Sequence, residues 1–318
     1  MNIKIVKSDK LINQYLPIFA TKEFLETKSN NFGWFVSEDF ILPFYIDKRS
    51  IFSKLVFTTQ TIVLNENSDE KEFLYSVIEK TRELNLDFIA QPMANVLFRL
   101  APKNSKYIKW GSYVVDLTIS EEELLKNMHS KHRNVIRKAI KDGVVVEETE
   151  NISLIYENLK ETMQRQNRAY PSLEELEKIK NLVKFYISKK DDIIQGCAVL
   201  PYNRFGAYYL YGGSIARPYT GALNYLHYYA MLDMKKNGVK KYDFMGARLN
   251  VEKGSKLEGI QRFKSRFGGE LKEGYLWKYE YKPLKIKLID IIQKIRYKLQ
   301  GRVYLGDAIE QESKRCQS

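Results

Sequence analysis

Cysteine is almost missing from this chain of 318 residues, with only Cys197 and Cys316 present. That excludes a disulfide framework and a cysteine-based metal cluster. Cys197 lies in the apolar run 193–200 and reads as a small buried hydrophobe. Histidine is nearly as scarce, and His129, His132 and His227 show no metal-ligand spacing with acidic partners. Nowhere does an apolar run approach the roughly 20 residues that span a bilayer. The segment Met1–Lys10 alternates apolar and charged residues and lacks the apolar core of a signal peptide. These absences together lead to the expectation of a cytoplasmic protein. Acid is also short: 39 Asp and Glu stand against 52 Lys and Arg, a net charge of +13. Such an excess concerns partners more than fold. Nucleic acid, an anionic membrane face or a phosphate-bearing substrate would suit it, and so would a generally lysine-rich proteome.

What is present fits a globular α/β (α+β) chain. Hydrophobic residues make up 44% and charged residues 29%, enough for a proper core. The 22 Tyr and 16 Phe suit packed sheets or aromatic grooves. Periodicity predicts a strand over 2–6 and a helix over 10–27, then aromatic strands between 32 and 64. A helix over 69–85 leads into a short buried strand over 86–90. After a strand over 113–118, Ser120 with Glu123 forms a capping box and opens a helix that runs on to Gly143. A strand over 144–147, helices over 152–168 and 172–189, and a hairpin of 193–200 with 205–213 follow. A helix over 221–237, closed by Gly238, leads into a strand over 241–245. Residues 81–90 and 235–245 echo each other, each running from a helix end through a cap residue into Asp-Phe (Asp87-Phe88 and Asp243-Phe244). That echo is consistent with duplicated halves. The expected division is 1–115, 116–283 and a basic helical tail over 284–318.

Four stretches have the composition of a site. On a helix over 130–143, His132, Ile136, Ala139 and Ile140 share the buried side. Arg133, Arg137 and Lys141 recur at intervals of four as a basic stripe flanked by Lys131 and Lys138. Stacked like charges suit a polyphosphate or an RNA backbone, although a solvated helix face has the same pattern. The run through Tyr209, Tyr211, Gly212 and Gly213 lets a backbone bend and a ligand approach closely before a helix starts near Gly221. It also reads as an ordinary strand–loop–helix connection. The long loop after residue 245, with Arg248, leads to a helix carrying Phe263, Lys264 and Phe267. Finally, residues 283–302 set an apolar stripe among basic side chains, with eight basic and two acidic residues between Lys278 and Arg302. That pattern fits a helix lying on an anionic membrane surface or one packed on its own domain.

In order along the chain come residues 131–143 (Lys-His-Arg-Asn-Val-Ile-Arg-Lys-Ala-Ile-Lys-Asp-Gly) and 162–172 (Thr-Met-Gln-Arg-Gln-Asn-Arg-Ala-Tyr-Pro-Ser). Then come 209–214 (Tyr-Leu-Tyr-Gly-Gly-Ser), 242–246 (Tyr-Asp-Phe-Met-Gly) and 259–268 (Gly-Ile-Gln-Arg-Phe-Lys-Ser-Arg-Phe-Gly). This ordered set resembles the FemAB family of peptidoglycan interpeptide-bridge aminoacyltransferases, within the GNAT-like superfamily. The resemblance covers about 110–281 and implies two GNAT-like domains with a cleft between them. It implies transfer of an amino acid from aminoacyl-tRNA to an amine on the stem peptide of a UDP-linked or lipid-linked muropeptide. The donor is an ester, so the resemblance implies no cofactor and no metal. Lys264, Tyr211 and Asp243 become candidates for catalysis. Arg165, Arg168, Tyr209, Gly212, Gly213 and Arg248 become candidates for holding the acceptor. Lys131, Arg133, Arg137 and Lys141 become candidates for tRNA or diphosphate. The stretch 217–222 (Arg-Pro-Tyr-Thr-Gly-Ala) lacks the complete glycine loop of acetyl-CoA enzymes, which makes acetyl-CoA or acyl-CoA the less expected donor. The helical arm of several bridge-forming members is absent, which leaves open an N-acyltransferase acting on a sugar or polysaccharide precursor. A non-catalytic module that binds RNA or an anionic membrane is the third reading.

Overall fold

A computed structural model of the chain describes residues 1–8, 16–299 and 304–315. They form two compact units, 1–111 with 273–318 and 112–272. The stretch after 272, divided by the sequence reading between a second domain and a tail, is counted with the first unit.

The first unit holds strands β1 (Lys4–Val6), β2 (Phe32–Val36), β3 (Phe40–Lys48), β4 (Ser53–Phe57), β5 (Ile62–Val63) and β6 (Phe88–Ile89). Its helices α1 (Lys22–Glu26) and α2 (Glu70–Glu83) interrupt them. Of the helix expected over 10–27, residues 10–15 lie outside the described residues. The rest is a 3-10 turn at Ile18–Ala20 followed by α1. Asp69 starts α2, as its carboxylate accepts from the amides of Lys71 and Glu72. Asn85, at φ +50°, ends it. Strand β4 pairs antiparallel with β3 and parallel with β6. The chain passes to the second unit within β7 (Lys106–Asp116) and returns within β14 (Glu270–Glu280). The core gathers Phe35, Phe44, Phe57, Phe73, Phe98 and Trp277.

The second unit repeats that plan. Its elements are α3 (Glu121–Asn127), α4 (Ser130–Lys141), β8 (Val145–Glu148), α5 (Ile152–Arg165), α6 (Leu173–Ile179), β9 (Val183–Lys190), β10 (Ile193–Asn203) and β11 (Gly206–Tyr208). After them come β12 (Tyr211–Ser214), α7 (Ala222–Lys236), β13 (Lys241–Asp243) and α8 (Lys256–Ser265). Here β11 pairs antiparallel with β10 and parallel with β13, and β13 pairs antiparallel with β7. Hairpin, helix, then a strand parallel to the hairpin's second strand occurs in each unit, so both halves are GNAT-like.

Two expected helices of this unit differ, and so does the placement of one side chain. The helix expected over 172–189 stops at Ile179, and residues 183–190 form β9. There Val183, Phe185 and Ile187 enter one core cluster and Tyr186 the other. A strand covered on both faces is apolar at nearly every position, which hides its period of two. The helix expected from Ser120 to Gly143 is broken at Met128, whose ψ of 146° is extended. His129 starts α4, as its Nδ1 accepts from the Lys131 amide at 3.1 Å. Ile140, expected on the buried side of α4, is exposed.

After β14 the chain enters α9 (Pro283–Leu299), and α10 (Ala308–Arg315) ends the described part. Asp87 anchors the first turn of α9. Its carboxylate accepts from the Ser53 amide at 2.9 Å and from Lys285 Nζ at 2.7 Å, and Lys282 lies 3.0 Å away. Burial alone would raise the Asp87 pKa, but Lys285, the Ser53 amide and Lys282 outweigh it and hold it at about 2. A carboxylate depressed on folding contributes stability above its unfolded pKa, and that contribution fades as pH falls toward about 2. Asp87→Asn should cost about 2 kcal/mol at neutral pH. Amide exchange across 283–290 should quicken, and a chemical-denaturation midpoint unchanged at pH 7 would refute this anchor.

Candidate active site

The second unit brings its chemistry together around the end of β13. Asp243 is buried there, and its Oδ1 accepts from the Ser112 hydroxyl and from the Met245 amide at 2.8 Å. The chain then turns sharply, with Met245 at φ +46° and Gly246 at φ +64°. A left-handed methionine costs about 1 kcal/mol or more. In return, two successive carbonyls aim at one point. Lys264, from α8, fills that point and donates to Met245 O at 2.5 Å and Gly246 O at 2.7 Å.

The residue is half-buried as a whole, and its ammonium end is enclosed. Burial lowers its pKa to about 8; Asp243 opposes the shift and the positive charge of Arg168 adds to it. An ammonium has three N–H donors. Two are spent on carbonyls, which leaves one for a substrate atom.

Around it stands an aromatic wall. His227, on α7, is buried, with its ring 4.5 Å from Tyr209, 5.2 Å from Phe244 and 5.6 Å from Phe263. Its Nδ1 lies 2.7 Å from the Tyr242 hydroxyl. Burial, together with Lys264 and His132, pushes its pKa down to about 3, so it stays neutral at physiological pH. His132 Nε2 lies 3.0 Å from Phe263 O and ties α4 to α8. Burial also raises the Asp243 pKa, with Ser112 and the Met245 amide opposing.

The FemAB family profile matches residues 155–294, a span that includes most of α5, the β12 glycines, the 243–246 turn and Lys264. Over that stretch, somewhat less than half of its length, this chain is similar to the FemAB family. Among solved structures it is similar to FemX, with a TM-score of 0.66 at 15% identity over 91% of this chain and 100% of that one. It is also similar to the C-terminal domain (DUF2156) of a chain named for lysylphosphatidylglycerol synthesis from Agrobacterium fabrum (TM-score 0.54, 16% identity, 86% and 92% covered). L-PGS from Bacillus licheniformis matches at TM-score 0.52 and 14% identity, over 83% and 88%. At such identities the likeness shows the fold. No curated protein is matched by sequence. The FemAB match over 155–294, on a GNAT-like fold, supports an acyltransferase.

The remaining candidates divide by location. Arg168 lies within electrostatic reach of Lys264. Tyr209 covers Gly212 so closely that a Cβ there would meet its hydroxyl at 1.7 Å. Gly213 lies on Asn158 of α5, whose backbone carbonyl would be 2.8 Å from an added Cβ. Tyr211 packs instead beside the α5–α6 cluster, where burial and then Glu175 push its hydroxyl up to about 12. Arg165 bonds the Ser214 carbonyl at 2.6 Å and Glu161 at 2.5 Å. Arg248 is half-buried, and its carbonyl accepts from Gln261 at 3.0 Å. On α4, Arg133 donates to Lys126 O at 3.0 Å and to Met128 O, so it closes the end of α3. Lys131, Arg137 and Lys141 are exposed.

Sequence reading placed His132 on the buried side of its helix without a part in the site, and it did not pick out His227, Ser112 or the paired carbonyls of Met245 and Gly246. Gly246 directly after a short strand was the available hint. Nothing local marks Met245 as left-handed.

A lysine whose folded pKa falls from 10.5 to about 8 is charged at a cost below pH 8. Between pH 8 and 10.5 the unfolded chain holds that proton and the folded chain does not, so stability rises with pH. Compared with Lys264→Met, the native chain should gain about 3 kcal/mol over that interval. A stability difference that stays flat from pH 8 to 10.5 would show that the ammonium is not enclosed.

Proposed function

We propose that this chain moves an amino acid from aminoacyl-tRNA onto an amine of a peptidoglycan precursor stem peptide, UDP-linked or lipid-linked. The observation that carries the reading is Lys264, an enclosed ammonium of pKa about 8 with two N–H groups fixed on backbone carbonyls. In the transfer, the amine nitrogen bonds to the ester carbonyl carbon and the ester C–O bond breaks. The amine loses a proton, and the departing ribose oxygen gains one. A fixed cation beside the carbonyl stabilises the oxyanion that forms on the way. An ammonium of pKa near 8 also holds its proton loosely enough to give it to the departing oxygen. His227, neutral and turned to Tyr242, shapes the wall and carries no charge.

Asp243 acts on this chemistry through the turn. Its carboxylate fixes the Met245 amide, and its charge supports the ammonium against burial. Arg168 sets a second positive charge near the same point, suited to an acceptor diphosphate or the donor's phosphates. A coenzyme A donor is less well supported. Gly221, at φ +88°, has the Val135 carbonyl of α4 so near that an added Cβ would meet it at 2.2 Å. The turn into α7 is therefore filled on that side by α4.

With radiolabelled aminoacyl-tRNA, label should pass to a UDP-linked or lipid-linked muropeptide. Consumption of acetyl-CoA in its place, or of neither donor, overturns the reading. Lys264→Ala should lower transfer at least a hundredfold with the circular-dichroism melt retained. The native kcat/KM should fall as pH rises through about 8, because the useful form is the cation, and Lys264→Arg should move that alkaline limb upward. A limb unmoved by the substitution would assign it to another group.

A further inference from the structure

Helix α9 has two faces of opposite kind. Ile286, Ile289, Asp290 and Gln293 are the half-buried ones, and Asp290 pairs with Lys294 at 2.5 Å. Tyr297, on the same face, stacks edge-on with Tyr304 at 5.4 Å. The other face carries Leu284, Leu288, Ile291, Ile292, Ile295 and Leu299, which are 47% to 83% exposed. At 3.6 residues per turn these six fall within an arc of about 100°. A packed helix is buried along its apolar arc, and this one is turned so that its larger apolar arc meets solvent.

The arc's edges decide what covers it. Lys285 and Arg296 border one side, and Lys287, Lys294 and Lys298 border the other; Asp290, the single acid of the helix, lies on the opposite face. A second copy laid on this arc by two-fold symmetry would bring basic edges against basic edges. A surface of anionic lipid meets both edges with the opposite charge and takes the six apolar side chains into its acyl boundary. Lysine and arginine stems can lie along that boundary with their charges in the headgroups. No helix among the described residues is long and apolar enough to cross a membrane, so contact through α9 is contact from one side.

We propose that α9 is a membrane-surface anchor that seats this chain on anionic lipid, with the apolar arc of α9 inserted and its basic edges on the headgroups. The salt bridges of Asp87 with Lys282 and Lys285 hold the helix on the first unit, so its outward face is presented as a fixed strip about 25 Å long. The inference does not depend on the transferase reading, because it rests only on α9.

The test is co-sedimentation of the full chain with vesicles of phosphatidylglycerol and phosphatidylcholine at 1:3, beside vesicles of phosphatidylcholine alone. Binding to the anionic vesicles should be at least tenfold stronger and should weaken as salt is raised. Leu288→Glu with Ile295→Glu should lower it at least tenfold, as should Lys287→Glu with Arg296→Glu and Lys298→Glu. Both variants should keep the melting profile and transfer to a soluble acceptor. Equal sedimentation with both vesicle types, or binding that survives the apolar substitutions, overturns the anchor. A native dimer in sedimentation velocity that the Leu288→Glu, Ile295→Glu variant dissociates, without vesicle binding by the native chain, assigns the arc to a second copy.

Discussion

The chemistry of the second unit depends on one buried turn. Asp243 sits at the end of β13 with Ser112 and the Met245 amide on its carboxylate, and that pairing fixes the left-handed step at Met245 and Gly246. Without it, nothing would compel two successive carbonyls to face the same way. With it, they form a seat for Lys264, whose ammonium would otherwise be enclosed without acceptors. The seat and its occupant are neighbours in sequence, but the Ser112 hydroxyl that holds Asp243 comes from β7, 131 residues earlier, so the turn is fixed only once that strand is in place.

The first unit shows the same device with a different outcome. Asp87 stands just before β6 as Asp243 stands at the end of β13, each following a helix closed by a left-handed residue, Asn85 or Gly238. Around Asp87 the partners are Lys282, Lys285 and the Ser53 amide, and the pKa falls to about 2. Around Asp243 burial prevails and the pKa rises. One carboxylate is an anchor because lysines reach it from the surface. The other organises a turn because its closest partners are a hydroxyl and an amide.

That contrast explains what could be read in advance. The Asp-Phe echo, the caps at Ser120 and Gly238 and the Lys264 run are local signals, and they are visible in one pass along the chain. Strand β9 was not, because both its faces are covered and its residues lose their alternation in composition. The break at Met128 was not, because a histidine in place of the usual serine or aspartate starts α4. Arg133 looked like part of a basic stripe, yet its guanidinium closes α3. The wall around Lys264 joins residues from α4, α7, β13 and α8, and only the finished topology brings such pieces together.

The net charge of +13 therefore has no single meaning. Arg133 and Arg165 spend their charge on carbonyls and structural partners within the second unit. Lys264 is the reverse case, a cation kept where charge is costly, and a lysine of pKa about 8 is more useful to proton transfer than one of pKa 10.5. On α9 the basic residues flank an apolar arc that no described part of the chain covers, and their number exceeds what Asp87 and Asp290 can neutralise. A cation closing a helix, a cation tuned by burial and cations bordering an exposed apolar strip answer to three different pressures. Only the last two point outside the protein, and they do so in different units, so the bulk excess must be divided by place before it is assigned to any partner.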